Sequence, residues 1–292
     1  MHAPRCHGQS RLPRSASFGA ALASAAIVGA GVQAQDAPPS RLSVSGETRL
    51  RYETLDGQFR AGGSGGDQAL FMRNLLLAEY EMQPITFGLE LQDSRAWLDD
   101  SGTPLSTSYV NPLDVLQLYA RADLPSLLGA DGSATLTVGR QTVSIGSKRQ
   151  IERISYANVI KSYTGLHYRA DNARGDELHL VAVVPVSRRP GNRAEIADNR
   201  MSGDEEEWNR RIWAVHYRRK DVAPALAGGL TGEVFVYGLT ERDTTDTPTP
   251  NRQYVTSGVR AYRAPQAGRW DVDVEGAWRL GRRRASRAAT DT

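Results

Sequence analysis

Strict alternation of apolar and polar side chains runs through most of this chain and limits the folds open to it. In the stretch RWDVDVEGAWRLG (Arg269–Gly281), tryptophans, valines and a leucine fall on one parity, and carboxylates fall on the other. A period of two over four or more residues predicts a half-buried β-strand. The pattern predicts strands at Arg41–Leu55, Ala69–Met82, Ile85–Ser94, Val115–Asp123, Ser133–Val143, Ser162–Ala170, Glu177–Val186, Arg211–Tyr217, Leu230–Thr240, Gln253–Arg263 and Arg269–Leu280. We find no long helical periodicity, so the sequence predicts an all-β chain of about eleven strands.

The connections between these predicted strands alternate in length. DGQFRAGGSGGDQ follows the first strand, QP follows the second, and AWLDDSGTPLSTSYVNPLD comes after the third. In an up-and-down antiparallel array every second connection lies at the same end, and outer-membrane barrels have short periplasmic turns and long outer loops. The pattern therefore predicts an up-and-down antiparallel outer-membrane β-barrel. A soluble periplasmic β-sandwich that binds or scaffolds is the alternative from another class.

The N-terminus has the three parts of a cleaved signal peptide. Arginines come first, then the uncharged run Phe18–Val32, then small residues at Val32 and Ala34. The run is too short to span about 30 Å of hydrocarbon, so we expect cleavage after Ala34 rather than a membrane anchor. The predicted organisation is a signal peptide at 1–34, a linker at 35–40, a barrel at 41–281 and a non-strand tail at 282–292.

The positive charge of the chain belongs to its leader. Residues 1–34 hold three of the 36 Lys and Arg residues and none of the 33 Asp and Glu residues, which leaves 33 of each in the mature chain. A formally neutral mature protein gives no support for nucleic-acid binding. The single cysteine, Cys6, leaves with the leader too. Membrane lipid, rather than nucleic acid, is the expected partner.

Charged residues recur on the polar parity of strand after strand, as a watery lumen requires. The predicted pore-lining residues are Glu47, Arg49, Arg51, Arg73, Glu79, Glu90, Arg121, Arg140, His167, Arg169, Asp271, Asp273 and Glu275. The arginines predict an electropositive path for an anionic cargo, because guanidinium groups bind carboxylates with paired hydrogen bonds. Ordinary ion pairing with neighbouring glutamates is the alternative and stays open for each arginine.

Arg140 raises a separate question, because strict alternation from Val138 puts it on the lipid face. Either Gly139 marks a bulge that inverts the phase, or Arg140 lies at the rim of the membrane.

The sequence gives no pattern for catalysis, metal binding or a cofactor. The mature chain has three histidines, His167, His179 and His216, and no cysteine, so we expect neither a metal site nor an enzyme. The glycines at 62–66 lack the Lys-Ser/Thr ending of a phosphate-binding loop. The stretch GDEEEWNRR is interpreted as a solvated outer loop, with a divalent-cation or lipopolysaccharide contact as second choice.

The short turn DNARGD allows a prediction of register. Placing Arg169 opposite Glu177 forms a salt-bridged pair beside the turn and sets His167 opposite His179. All four side chains then share the lumen face, and we expect a pH-sensitive patch rather than a metal site.

The segment Val138–Asn172 resembles the alginate-export family of outer-membrane barrels. A strand ending in Gly-Arg-Gln is followed by Gly-x-x-Arg and then by Asn and aromatic residues leading to Thr-Gly. The matching residues are Gly139, Arg140, Gln141, Gly146, Arg149, Asn158, Tyr163 and Gly165. Tyr156 and Thr164 depart from the family, which has tryptophan and aspartate there. The resemblance covers most of Leu42–Gly281 and is specific only in Val138–Gly165.

This resemblance implies a monomeric barrel of about eighteen strands that exports an anionic polysaccharide through an arginine-lined constriction. Eleven strands are fewer, and bacterial barrels close with an even number, so we expect a truncated member with a partial or open barrel. The expected function is passive conduction of an anionic polysaccharide across the outer membrane of a Gram-negative bacterium. Other periplasmic export components are candidate partners, and a porin for small saccharides or organic acids is the runner-up.

Overall fold

The structure is a computed structural model that describes residues 24–27, 41–57, 66–100, 102–224, 229–244 and 248–285. Most of the predicted leader, the predicted linker at 35–40 and the tail beyond residue 285 lie outside these ranges, as do all but the last of the glycines at 62–66. In the part that is described, no helix is long and apolar enough to cross a membrane.

Strands make up nearly all of the regular structure. They are β1 (Ser24–Ile27), β2 (Leu42–Leu55), β3 (Asp67–Met82), β4 (Ile85–Trp97), β5 (Asn111–Pro125), β6 (Ser133–Gln141), β7 (Tyr163–Asp171), β8 (Glu177–Ser187), β9 (Glu205–Glu206), β10 (Arg210–Arg219), β11 (Thr231–Glu241), β12 (Gln253–Arg263) and β13 (Val272–Arg282). One short helix, α1 (Arg193–Ala197), lies between β8 and β9. Every strand except β9 pairs antiparallel with its neighbours in chain order, and β9 pairs with the end of β8.

This topology confirms the predicted fold class. All eleven predicted strands are present, as β2–β8 and β10–β13, and the structure adds β1 and the two-residue β9. The sandwich alternative is wrong, because the twelve strands β1–β8 and β10–β13 follow one another in a single sheet. Among the described residues no pairing joins β13 to β1 or β2, so the sheet is an open partial barrel. β1 lies within the predicted leader and pairs with Thr48–Arg51.

The two faces of the sheet have opposite chemistry. One, which we call the exposed face, carries large apolar side chains that remain open to the surroundings: Leu42, Val44, Leu50, Leu76, Phe87, Leu118, Val138, Leu166, Val215, Val234, Val259, Val274, Trp278 and Leu280. The other, the covered face, carries the charged parity and lies beneath the long connections. An apolar outer surface and a polar inner surface are the pattern of a membrane barrel wall.

The connection between β6 and β7 folds back across the covered face. We call residues 142–162 the inner loop. Its apolar residues Val143, Ile145 and Ile151 are buried with side chains of β7, β8, β10 and β11 in the largest core cluster: Tyr163, Val181, Val183, Ala214, Phe235 and Tyr237. Packing of this kind removes apolar surface from water at about 25 cal/mol per Å². The inner loop is therefore part of the core and not a solvated outer loop.

A second connection closes over the other half of the sheet at the end that carries the long loops, here called the outer end. Ile196 of α1 packs with Ala69, Phe71, Ala96, Leu105 and Val110. The Asn199 side chain bonds both backbone groups of Ala96, at 2.9 and 2.7 Å, as a neighbouring strand would.

The predicted register of β7 and β8 is wrong by two residues. Arg169 pairs with His179 and Asp171 with Glu177. The cause lies in the turn, where the Asn172 side chain accepts hydrogen bonds from the Arg174 and Asp176 backbone N–H groups at 3.1 and 3.0 Å. That turn needs only residues 172–176, so β7 extends one residue further than predicted, to Asp171, while β8 begins at Glu177 as predicted.

Because the shift is an even number, every side chain keeps its face. The expected contacts survive diagonally, with Arg169 Nη2 2.7 Å from Glu177 Oε2 and His167 Nε2 2.8 Å from His179 Nδ1.

Candidate functional site

Three arginines of β2 and β3 attach the second half of the inner loop to the sheet. Arg49 donates to the backbone oxygens of Ser155 and Ala157 at 3.1 and 2.7 Å. Arg51 donates to the backbone oxygen of Tyr156 at 3.1 Å. Arg73, which is 3 % exposed, donates to the same two oxygens as Arg49 and pairs with Glu47. These predicted lumen arginines therefore bind this chain's own backbone.

Further polar contacts extend this attachment over β4 and to the connection that precedes β5. Asn158 donates to the Tyr109 backbone oxygen at 2.6 Å and accepts at its own backbone oxygen from Ser94 at 2.7 Å. The Ile160 N–H donates to Gln92 at 2.8 Å. Arg153 makes two hydrogen bonds to Glu90, at 2.6 and 2.8 Å. Paired contacts of this type fix orientation as well as adding energy.

The first half of the inner loop meets a row of histidines. Gly146 has φ +57, and a Cβ there would lie 2.6 Å from His216 Nε2, so only glycine fits without displacement. His216 is fully buried, 3.5 Å from Glu233, and neither ring nitrogen has a hydrogen-bond partner. His179 bonds Glu177 at 2.8 Å and stacks on His167.

Most other charges on the covered face are paired with each other. Arg121 lies 3.2 Å from Glu79, Arg260 makes two hydrogen bonds to Asp273, and Glu275 lies 3.8 Å from Arg149 of the inner loop. The predicted pore-lining residues in the strands share this face, with Arg140 excepted. Asp271 precedes β13 and is exposed.

The position of Arg140 differs from the predicted pore-lining one. Gly139 has φ +119, yet β6 pairs with β5 and β7 without a register shift, so no bulge inverts the phase. Arg140 stays on the parity of Val138, one residue from the outer end of β6. There it lies 2.8 Å from Glu206 and 3.5 Å from Asp114. The structure therefore excludes the bulge alternative and places Arg140 next to the outer end of β6.

The acidic stretch after α1 is only partly solvated: Glu205 and Trp208 are exposed, whereas Asp204 and Glu207 have partners in the fold. Asp204 accepts hydrogen bonds from Asn111 and from the Arg189 N–H, both at 2.7 Å. Glu207 lies 2.6 Å from Arg210. Burial raises the pKa of Asp204 to about 6, with Asp114 adding repulsion and the hydrogen bonds opposing the shift. Partners supplied by β5, by the Arg189 backbone and by β10 explain why Asp204 and Glu207 fold inward.

Several cations on or above the covered face have no carboxylate within ion-pair distance among the described residues. Four of them are Arg49, Lys161, Arg188 and Arg279. Burial lowers the pKa of Lys161, and the nearby Arg188 and Arg210 lower it further. Burial lowers the pKa of Arg188 too. These groups carry positive charge that no side chain of the described structure neutralises.

Several residues at this site were missed by sequence reasoning: Arg153, His216, Glu233, Arg260 and Arg279. All but Arg153 lie on the charged parity of a predicted strand, which was the available signal. Arg153 lies in a connection, where parity gives no information. In the parts of the chain that are described, no group of three or more His, Cys, Asp or Glu residues could hold a metal ion.

A single antiparallel sheet with an apolar outer face and a charged inner face defines the class of membrane β-barrel walls. A comparison with family models then gives the family, since the model described as alginate export matches residues 40–291. The chain belongs to the alginate-export family, whose members are outer-membrane transport channels rather than enzymes. No curated protein and no solved structure matches it.

Proposed function

We propose that this protein conducts an anionic polysaccharide passively across the outer membrane, along the covered face of its sheet. The observation that carries the proposal is the set of four cations without carboxylate partners. A glutamate or aspartate pairs with each of the neighbouring arginines Arg51, Arg73, Arg121, Arg153 and Arg260. The four cations without such a partner therefore supply the attraction for a polyanion. Family membership supports a polysaccharide cargo.

The route proposed is narrow. The inner loop fills the covered face from β2, through Arg49, to β13, through the Gln150 contact of Arg279 at 3.3 Å. Two side chains of the loop remain open to solvent: Tyr156 is 73 % exposed, and the side chain of Arg149 is 64 % exposed although it lies 3.8 Å from Glu275. A polymer passes beside this loop rather than through its contacts with the sheet.

Transport by cells lacking their major porins tests the proposal. A fluorescent oligouronate should cross several-fold more slowly when Arg49, Lys161 and Arg188 are all replaced by glutamine. A neutral oligosaccharide of equal length should cross at an unchanged rate. Replacing the exposed Arg174, Arg200 and Arg269 by glutamine is the matched control for net charge. Equal slowing of both cargoes would overturn the proposal.

A porin for small saccharides or acids is the second candidate, because an inward-folded loop also suits a size-limiting constriction. The two candidates differ in cargo length. A polysaccharide conduit passes hexamers and monomers, whereas a small-solute porin passes monomers alone.

The proposal includes export by a cleaved leader to the outer membrane of a Gram-negative cell. Cleavage after Ala34 removes β1, because Ser24–Ile27 precedes that position. N-terminal sequencing of protein from the outer-membrane fraction should begin at Gln35. A mature chain that retains residues 24–27 would contradict this site.

A further inference from the structure

A small cavity lies between the inner loop and the last four strands of the sheet. It has a volume of about 200 Å³ and is closed on one side by Gln150 and Ile151 of the inner loop. The opposite wall is formed by the covered face of β10–β13, where Ile212, Tyr237 and Arg279 contribute. Pockets for drug-sized ligands measure about 300–1,000 Å³, so this one admits a single ring-sized unit.

The cavity wall combines aromatic surface with unused hydroxyl groups. Tyr163, Tyr237 and Tyr254 all line it. Among the described residues none of their hydroxyls has a hydrogen-bond partner, and none is sealed from the cavity. Tyrosine offers an apolar ring and a polar tip on one side chain. A sugar ring requires both, because its C–H groups pack on apolar surface while its hydroxyls need partners.

One unneutralised positive charge faces this cavity. Arg252 also lines it, but Glu241 takes two of its hydrogen bonds. Arg279 instead donates to Thr256 at 2.9 Å and to Gln150 at 3.3 Å, both neutral groups. Its guanidinium carbon lies 5.5 Å from the centre of the Tyr254 ring. The remaining N–H groups form a fork that matches a carboxylate.

The approach to the cavity from the outer end is positively charged too. Arg188 is close enough to Tyr163, a cavity residue, to interact with it electrostatically, and it repels Lys161. Lys161 precedes β7 at that end and Arg188 follows β8. Unpaired cations at an entrance raise the local concentration of anions.

We infer that the cavity bounded by Gln150, Tyr237, Tyr254 and Arg279 is a saturable binding site for one sugar acid, a uronate unit. The sugar ring packs against the tyrosines, and its carboxylate accepts hydrogen bonds from Arg279. The inference rests on the proposed function for its ligand class and adds a discrete site that a purely passive conduit lacks.

Calorimetric titration of the full chain in detergent micelles tests the site, with glucuronate as the probe and glucose and acetate as comparisons. We expect glucuronate to bind at least about tenfold more tightly than either, since only it offers ring and carboxylate together. Arg279→Gln should weaken glucuronate binding about tenfold, and Arg279→Lys should weaken it less.

The matched control is Arg282→Gln. Arg282 lies three residues away on β13, on the opposite parity, and bonds Gln253 at 2.9 and 3.1 Å. It should leave binding unchanged. Equal affinity for glucuronate and glucose, or unchanged binding in Arg279→Gln, overturns the inference. If the polymer is transported but glucuronate does not bind, the inferred site is wrong and the proposed function stands. If glucuronate binds but polymer transport does not depend on the cations, the proposed function is wrong and the site stands.

Discussion

The two halves of the inner loop are attached to the sheet by different physics. Residues 153–160 are held to β2–β4 by arginine–carbonyl, amide and ion-pair contacts centred on Arg73 and Asn158. Residues 142–151 are held to β8, β10 and β11 by apolar packing around Ile145. The polar half needs each partner at a defined angle, whereas the apolar half needs only matching volume.

Because the interactions differ, different substitutions should detach each half from the sheet. A missing polar partner leaves buried carbonyl or carboxylate groups unsatisfied, which costs more than the net worth of the bond itself. A missing methyl group leaves a cavity whose cost depends on how far the surroundings relax. Trypsin can cut after Arg149 in the first half and after Arg153 in the second half. Limited proteolysis therefore shows which half has detached from the sheet.

Breaking the polar attachment should give the largest effect. Arg73→Ala removes a 3 % exposed guanidinium that serves Glu47 and two backbone oxygens. We expect a loss of about 3–5 kcal/mol in the free energy of unfolding. The loss is measured as a lower urea concentration at which half of the protein migrates as unfolded on a gel run without heating. Trypsin should also cut at Arg153 in the folded variant.

The control for this variant is Arg121→Ala, which removes an arginine that is 36 % exposed and paired with Glu79. Exposed ion pairs contribute about 0–1 kcal/mol, so its midpoint should barely move. If the two variants lose equal stability, the arginine contacts of the inner loop are not what holds its second half.

Breaking the apolar attachment should give the second-largest loss in the free energy of unfolding. Ile145 is 3 % exposed, and Ile145→Ala should cost about 2–4 kcal/mol, because truncating a buried aliphatic side chain leaves a cavity. Trypsin should then cut earlier at Lys148 and Arg149, with Arg153 protected as in the unmodified protein. Ile145→Val is the conservative control, expected to cost about 0.5–1.5 kcal/mol. The same cleavage pattern in the Ile145 and Arg73 variants would show that the halves are not independent.

The sequence could predict the strands far better than this loop, for a physical reason. Parity is a local property, so alternation alone placed every long strand from β2 onward and the faces of residues such as Glu47 and Asp273. The attachment of Arg153 to Glu90 joins residues 63 apart, and nothing local encodes it. The local hint was the apolar content of this connection, which holds Val143, Ile145, Ile151, Val159 and Ile160.

The pairing register of β7 with β8 could be predicted less well than the strands and better than the loop. It depends on the turn, and the Asn172 side chain closes a tighter turn than the salt bridge between Arg169 and Glu177 suggested. The candidate cavity could not be predicted at all, because it is bounded by both the loop and four strands.

A pH titration extends the comparison to the connection between β8 and β10, which is attached by polar contacts. The pKa of Asp204 is raised to about 6 when folded, against an ordinary value near 4. Between these values the folded state binds more protons than the unfolded state, so stability falls as pH rises from about 4 to 6 and is level above that. We expect a fall on the order of 1–3 kcal/mol, measured by urea unfolding across this range.

Asp204→Asn is the matched variant for this titration, because its side-chain oxygen keeps both hydrogen bonds, from Asn111 and the Arg189 N–H, without a charge. The variant should flatten that part of the profile and be more stable than the unmodified protein at pH 7.5. A profile with the same slope in both proteins would mean that other groups cause the dependence.

The smallest expected effect is the coupling free energy of the Arg169–Glu177 pair, and its size distinguishes the observed register of β7 and β8 from the predicted one. Arg169 is 53 % exposed at its side chain, and Glu177 also binds His179 and lies 3.4 Å from Arg218. Losing Arg169 therefore leaves Glu177 with other partners. In a double-mutant cycle of Arg169→Gln and Glu177→Gln we expect a coupling of about 0.2–1 kcal/mol, the size for half-exposed cross-strand pairs. A coupling above about 2 kcal/mol would indicate a directly opposed, isolated pair and would favour the register that the turn excludes.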